Sequence, residues 1–258
     1  MTAPQTRPAV VTGASSGIGA ATAIALARLG HPVALGARRV DRLEEVAIAI
    51  KEAGGQAIVA PLDVRDDASV ADFAKSVSAE LGEIDIVISN AGGSRPGWIH
   101  AIDTDPFMAD IDLNIGGAHR LVSAFVPRMV ARASGDIVFV SSDVAVRPRP
   151  VMSAYAASKW GLEGMAQQLQ MELEGTGVRA SVVRPGPTKS EMGLDWDPEL
   201  TADVINTWSR FGQARHGRFL RAEAVAEAIA SVVSALPGVH LNLIEVSPVP
   251  PIDKEKQS

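Results

Sequence analysis

The segment from Pro8 to Gly30 constrains this chain more than any other. Pro8 to Val11 is a short apolar, β-branched run; Thr12-Gly-Ala-Ser-Ser-Gly-Ile-Gly19 breaks it with three glycines, and Ala20 to Leu29 favours helix before closing on Gly30. The chain must therefore pass from strand to helix through one tight loop. Glycines let the backbone turn sharply and approach a ligand, and the unpaired N–H groups at the start of the following helix suit a pyrophosphate. The spacing is G-x-x-x-G-x-G rather than G-x-G-x-x-G, so the case for a nucleotide depends on what surrounds the loop.

The rest of the chain repeats the alternation. Strands are expected at Pro32 to Ala37, Gln56 to Pro61, Ile84 to Ser89, Asp136 to Ser141, Val178 to Val183 and Val239 to Val246. Between them, helical patterns cover Asp41 to Ala53, Val70 to Leu81, Pro106 to Met129, a segment around Leu162, Met165, Leu169 and Leu173, and Arg221 to Leu236. Asp41, with Glu44 three residues on, has capping-box spacing. The continuous apolar strands are those of a sheet buried on both faces, so the pattern predicts an α/β fold with a doubly wound parallel sheet. At 258 residues, without repeat, linker or low-complexity segment, the chain is expected to form one domain.

In such a sheet the carboxyl ends of the strands carry the ligands. Strand two ends in Gly36-Ala-Arg-Arg39, where an acidic residue would bind ribose hydroxyls and repel a 2′-phosphate; arginines stand there instead. Arg38 is the candidate phosphate ligand, and Arg39 is expected to face solvent. Strand four delivers Asn90-Ala-Gly92, either a ligand site or an Asn/Gly turn. Strand five delivers Ser141-Ser142. Asn114, a poor helix former inside a helical region, either has a role beyond packing or faces solvent.

Tyr155, the chain's one tyrosine, precedes Lys159 by one helical turn. Residues at i and i+4 share a helix face, and a nearby ammonium lowers a phenol's pKa from about 10 toward the working range of a general acid or base. After Arg184-Pro-Gly-Pro-Thr188 the regular pattern lapses, and Thr188 to Leu220 holds four of the chain's eleven aromatic residues. It reads either as a lid, with Met192, Leu194, Trp196, Trp208 and Phe211 as an apolar ceiling, or as a helical insertion packed on the core. Arg147 and Arg149 are expected to be solvated, the alternative being a place at the pocket mouth where they would favour an acidic or thioester substrate, and Pro248 to Ser258 are expected to be a frayed tail.

Composition excludes several functions. A net charge of −6 argues against nucleic acid or anionic membrane as a partner. The absence of cysteine excludes thiolate chemistry and disulfides, and the five histidines are scattered, so no metal site is expected. Ala9 to Ala27 carries no charge, but Gly13, Ser15, Ser16, Gly17 and Gly19 interrupt it, no other stretch approaches the roughly 18 to 20 apolar residues of a membrane span, and the chain reads as cytoplasmic.

Thr12 to Gly19, Asn90-Ala-Gly92, Asn114, Ser142, Tyr155-x-x-x-Lys159 and Pro185-Gly186 occur in an order and spacing that resemble the short-chain dehydrogenase/reductase family over nearly the whole chain. The resemblance implies a seven-stranded parallel sheet, assembly as a homotetramer or homodimer through helices including the one that carries Tyr155, and a small-molecule carbonyl or alcohol substrate. It implies that Tyr155 exchanges a proton with the substrate oxygen while hydride moves to or from a nicotinamide. Lys159 would hold the ribose and lower the phenol's pKa, Ser142 would polarise the carbonyl, and Asn114 would anchor a relay water. Gly13, Ser15, Ser16, Gly17, Ile18 and Gly19 would form the pyrophosphate turn, Asp63 and Val64 would meet adenine, and Asn90, Ala91 and Gly92 would line the cleft. Pro185, Gly186 and Thr188 would face the nicotinamide. With Arg38, NADP(H) is the expected cofactor. The alternatives are a 3-oxoacyl thioester reductase, for which Arg128 and Arg132 could offer a basic surface to an acidic carrier, and a dinucleotide-sensing protein without turnover.

Overall fold

The computed structural model describes residues 6–193, 196–212 and 217–252. Seven strands form one parallel sheet: β1 (Ala9–Thr12), β2 (Val33–Ala37), β3 (Ala57–Pro61), β4 (Ile86–Ser89), β5 (Gly135–Val140), β6 (Val178–Pro185) and β7 (Leu243–Val246), in the order β3-β2-β1-β4-β5-β6-β7. Every residue of β1, β2, β4 and β5 is buried, which is why these strands read as largely apolar runs; the charged exception, Asp136 in β5, pairs with Arg7 and Arg179. Alternate residues feed two cores. Val10, Val87, Ile137 and Phe139 pack against Phe73, Leu121, Phe125 and Leu162 on one face. Val11, Ile88 and Val138 pack against Leu26, Leu43, Ile50 and Ile229 on the other.

Helices α1 (Gly17–Arg28), α2 (Val40–Glu52) and α8 (Ala222–Val233) cover the second face; α3 (Asp67–Leu81), α5 (Gly117–Ala131) and α6 (Ser153–Glu172) cover the first. The strand order reverses between β1 and β4, which pair from Ala9 with Ile86 to Val11 with Ile88. Their carboxyl ends therefore open the crevice in which doubly wound sheets bind ligands.

Several boundaries differ from expectation; α3, for one, starts at Asp67 rather than Val70, and α8 ends at Val233 rather than Leu236. Asp41 does not cap α2: Arg39 is the N-cap residue, without a side-chain cap, and Asp41 lies in the first turn. The single helix expected over 106–129 is α4 (Thr104–Ile111), a π-helical turn over Asp112–Gly116, and α5. Asn114 sits in that turn, where its side chain is drawn to partners outside the helix, and Gly117 follows, where a Cβ would come 2.7 Å from Val64. β6 continues past Val183 through Arg184 and Pro185, because the edge strand β7 pairs with both through Glu245 and Val246; a proline at a strand end removes no needed donor. β7 itself starts at Leu243 rather than Val239.

The insertion after β6 contains α7 (Pro198–Arg210), begun by Asp197, whose carboxylate accepts from Glu199 N at 2.9 Å and Leu200 N at 3.1 Å, with Pro198 pre-set for the first turn. Among the described residues no helix is long and apolar enough to cross a membrane. Pro248 to Ile252 have no regular structure; the rest of the expected tail lies outside the described residues.

Candidate active site

The first two turns of α6 place Tyr155 and Lys159 together beneath the carboxyl end of β5, both buried. The Lys159 ammonium lies 5.7 Å from the centroid of the Tyr155 ring and donates to Val140 O at 2.9 Å. Burial pushes the Lys159 pKa down to about 8, against the opposing pull of the buried Glu163 carboxylate one turn on. Burial also pushes the Tyr155 phenol up to about 12, while a hydrogen bond with Ser142 works the other way. The expected lowering by lysine does not appear: with water excluded the phenolate is costly, the Asp143 and Asp110 carboxylates add to the rise, and Ser142 and Arg149 oppose it without cancelling it.

Ser142 lies two residues past the end of β5 and opens a single 3₁₀ turn over Asp143–Ala145, its hydroxyl accepting from Val144 N at 3.4 Å. Asp143 was not singled out by sequence reasoning, although it adjoins Ser142. Its buried carboxylate takes a bidentate pair from Arg149, at 2.9 and 2.5 Å, and the guanidinium lies 5.7 Å from the centroid of the Trp208 ring in α7. Arg149, expected to be solvated, is only 13% exposed. Arg147 instead pairs with Glu245 at 2.5 Å near the surface.

Asn114 is buried rather than solvent-facing. Its Oδ1 accepts from Gly93 N at 3.1 Å, and its Nδ2 donates to Gly93 O at 2.9 Å and Ser158 Oγ at 3.0 Å. It thereby ties the loop after β4 to the helix of Tyr155. Gly92 is needed at this crossing: a Cβ there would meet Asn114 Oδ1 at 2.7 Å and Lys159 Nζ at 3.5 Å.

Around the switch point the backbone is bracketed by a second amide. Asn90 Nδ2 donates to Thr12 O at 2.9 Å, while the Thr12 hydroxyl accepts from Asn90 N and Ala91 N, each at 3.0 Å. Thr12, which sequence reasoning placed in the loop without a role, is the pivot between β1 and β4. Gly13 and Gly17 have φ of +65° and +55°, and a Cβ on Gly19 would lie 2.3 Å from Gly13 O. Ser16 precedes α1 without a side-chain cap, and Ile18 packs its side chain on the core. A glycine cradle, an uncapped helix start and flanking hydroxyls of Ser15 and Ser16 form the donor set a dinucleotide pyrophosphate requires.

Asp63 and Val64, expected to meet adenine, lie just past the end of β3. Arg65 grips Asp63 through Nε at 3.0 Å and Nη2 at 2.5 Å, holding its carboxyl at about 2, and Arg38 adds a smaller downward pull. Arg38 is exposed beside them. Arg39 does not face solvent alone: its Nη2 donates to Ser15 Oγ at 3.1 Å and Ser16 Oγ at 3.0 Å. On the opposite side Pro185 and Gly186 are buried, and Thr188 Oγ1 donates to Gly186 O at 2.8 Å.

Of the expected apolar ceiling, Trp196 and Trp208 pack against the cluster of Val144, Met152, Tyr155 and Ala156. Their indole N–H groups donate to Ser94 O at 3.0 Å and Pro150 O at 2.8 Å. Met192 and Phe211 are exposed instead, and Leu194 lies outside the described residues. The basic surface that Arg128 and Arg132 could have offered an acidic carrier is neutralised: Arg128 pairs with Glu83, and Arg132 with Asp85 at 2.7 Å.

This constellation has counterparts among known proteins. Residues 7–200 match the short chain dehydrogenase family profile. The chain belongs to that family, whose members are oxidoreductases of alcohol and carbonyl groups. It is 35% identical over 93% of its length to the glycine betaine reductase of Emericella nidulans, of which it spans only 18%. It is 36% identical over 76% of its length to the 2,3-dihydro-2,3-dihydroxybenzoate dehydrogenase of Bacillus subtilis, spanning 76% of that protein. The short-chain fold is also that of an alcohol dehydrogenase from Thermococcus sibiricus, solved in complex with 5-hydroxy-NADP: TM-score 0.80 and 30% identity, covering 94% of this chain and 96% of that one.

Proposed function

We propose that this short-chain dehydrogenase is an NADP(H)-dependent carbonyl reductase and secondary-alcohol dehydrogenase in which Tyr155 is the general acid and base. The observation that carries the reading is the buried trio of Tyr155, its Ser142 partner and Lys159 one turn along α6. A bound nicotinamide dinucleotide supplies or accepts the hydride. Tyr155 passes its hydroxyl proton to the substrate oxygen, Ser142 donates a hydrogen bond to that oxygen, and Lys159 returns a proton to the phenol. With the phenol pushed up to about 12 and the ammonium near 8, both hold their protons at neutral pH, which is the form that reduces a carbonyl.

Arg38, Ala37 and the hydroxyls of Ser15 and Ser16 support NADP(H): no carboxylate ends β2 to repel a 2′-phosphate, and exposed guanidinium is at hand. The apolar indoles beside Tyr155 favour a hydrophobic substrate. Thioester reduction on an acidic carrier loses its support with the pairing of Arg128 and Arg132. A homodimer or homotetramer is supported by the outer face of α6, where Ala156, Ala157 and the 60%-exposed Trp160 join Trp98 and Ile99 around an open groove of about 620 Å³ that excludes Tyr155.

The test is NADPH oxidation against a panel of ketones, quinones and cyclic hydroxy-acid precursors, with NADH in parallel. Tyr155→Phe is expected to lower turnover by about 10² to 10⁴-fold while leaving the NADP⁺ dissociation constant within about threefold. More than a tenth of wild-type turnover in that variant removes Tyr155 from the role, and higher kcat/KM with NADH removes the cofactor assignment.

A further inference from the structure

The glycine loop carries, on its open side, an anion that belongs to the chain itself. Arg39 Nη2, besides its two serine contacts, pairs with Glu191 Oε2 at 2.7 Å. Glu191 comes from the segment that follows β6, far along the chain. Hydrogen bonds from Arg39 and then from Ser16 hold its carboxyl below the usual carboxylate range, with Arg42 adding to the field. Its neighbour Ser190 rests on the loop: a Cβ on Gly17 would lie 3.4 Å from Ser190 Cβ. A carboxylate, a guanidinium and serine hydroxyls therefore converge where β2 and the glycine loop meet. That is the ribose end of the dinucleotide crevice in sheets of this order.

The donors that hold this carboxylate are those a phosphate monoester would choose: a planar guanidinium and hydroxyl groups. A 2′-phosphate brings nearly two negative charges to the same place, whereas a ribose without it brings hydroxyls that a carboxylate accepts. We infer that Glu191 is a specificity-determining residue, an internal anion that competes with the 2′-phosphate of NADP(H) for Arg39 and Ser16 and so narrows the preference over NAD(H). The inference rests on the cofactor reading above, with Arg39 rather than Arg38 as the contested ligand.

Both partners are about half exposed, so the competition is screened by water and the expected effect is moderate. Titration of tryptophan fluorescence with NADP⁺ and with NAD⁺ gives both dissociation constants without turnover. In Glu191→Gln the ratio of the NAD⁺ to the NADP⁺ constant is expected to rise about three- to tenfold, mainly through tighter NADP⁺ binding, and the rise should shrink at 0.5 M salt. In an Arg39→Ala background the same substitution should leave the ratio unchanged. An unchanged ratio in Glu191→Gln, or equal changes for both nucleotides, overturns the inference. So does a shift that persists without Arg39. Failure of the cofactor reading looks different: wild-type protein would bind NAD⁺ more tightly, yet Glu191→Gln would still move the ratio toward NADP⁺ if the competition exists.

Discussion

Replacing Lys159 with methionine should stabilise the protein while removing its activity. Lys159 is 4% exposed, and among the described residues its ammonium donates to a single carbonyl, Val140 O at 2.9 Å. Burial holds its pKa at about 8 against an ordinary 10.5, a difference that corresponds to about 3 kcal/mol paid by the folded state to keep the charge. Methionine has nearly the same length and flexibility, fills the same space and carries no charge. Against the gain stands the lost hydrogen bond to Val140, worth about 1 kcal/mol. The expected net stabilisation at pH 7 is about 1 to 3 kcal/mol.

The pH dependence makes the cause identifiable. The folded pKa lies below the unfolded one, so below about pH 8 both states carry the proton and the full cost stands. Between about 8 and 10.5 the unfolded chain binds more protons than the folded one, and wild-type stability from this group rises with pH. Above 10.5 the cost has gone. The advantage of Lys159→Met should therefore be complete at pH 7 and nearly absent at pH 10.5. Urea unfolding of both proteins without nucleotide, followed by circular dichroism at these two pH values, measures it. A variant less stable than wild type at pH 7, or an advantage that does not fade with pH, would refute the reasoning that Lys159 is held at a cost to the fold.

Two further outcomes follow from packing. Gly92→Ala would put a methyl group 2.7 Å from Asn114 Oδ1, so it should cost about 1 to 3 kcal/mol in stability and lower turnover at least tenfold; unchanged melting and rate would show that the crossing of Gly92 and Asn114 gives way easily. Trp160→Glu places a charge on the apolar outer face of α6, and light scattering after size exclusion should show the proposed dimer or tetramer dissociating toward a smaller species; an unaltered mass would count against that face as the interface.

The parts of the fold and site that were legible in the sequence are those whose cause is local. β4 and β5 read as strands because Ile86 to Ser89, and Ile137 to Val140, are apolar or small and sit between two helical layers; Asp136, buried near the start of β5, is held by Arg7 and Arg179. The glycine loop was legible because positive φ at Gly13 and Gly17 is a property of single residues. Tyr155 and Lys159 could be placed side by side from helical spacing alone, but their protonation could not: it depends on how completely β5, Trp196 and Trp208 exclude water.

What was not legible depends on partners distant in the chain. The π-helical turn at Asn114 exists beside contacts with Gly93 and Ser158, 21 and 44 residues away, and nothing in the local composition distinguishes that asparagine from a solvent-facing one. Arg38 and Arg39 are the same residue type in adjacent positions, and successive side chains leaving a strand point opposite ways. Which of them turns toward the glycine loop is decided by Ser15, Ser16 and Glu191, so the sequence pattern could locate positive charge at the end of β2 but not assign it. Arg149 shows the same ambiguity: a guanidinium that composition alone would leave in water is largely withdrawn from it because Asp143 and Trp208 meet it from two other elements. In each instance charge identity was readable and charge pairing was not, and pairing is what distinguishes a group that meets a ligand from one that holds the site in shape.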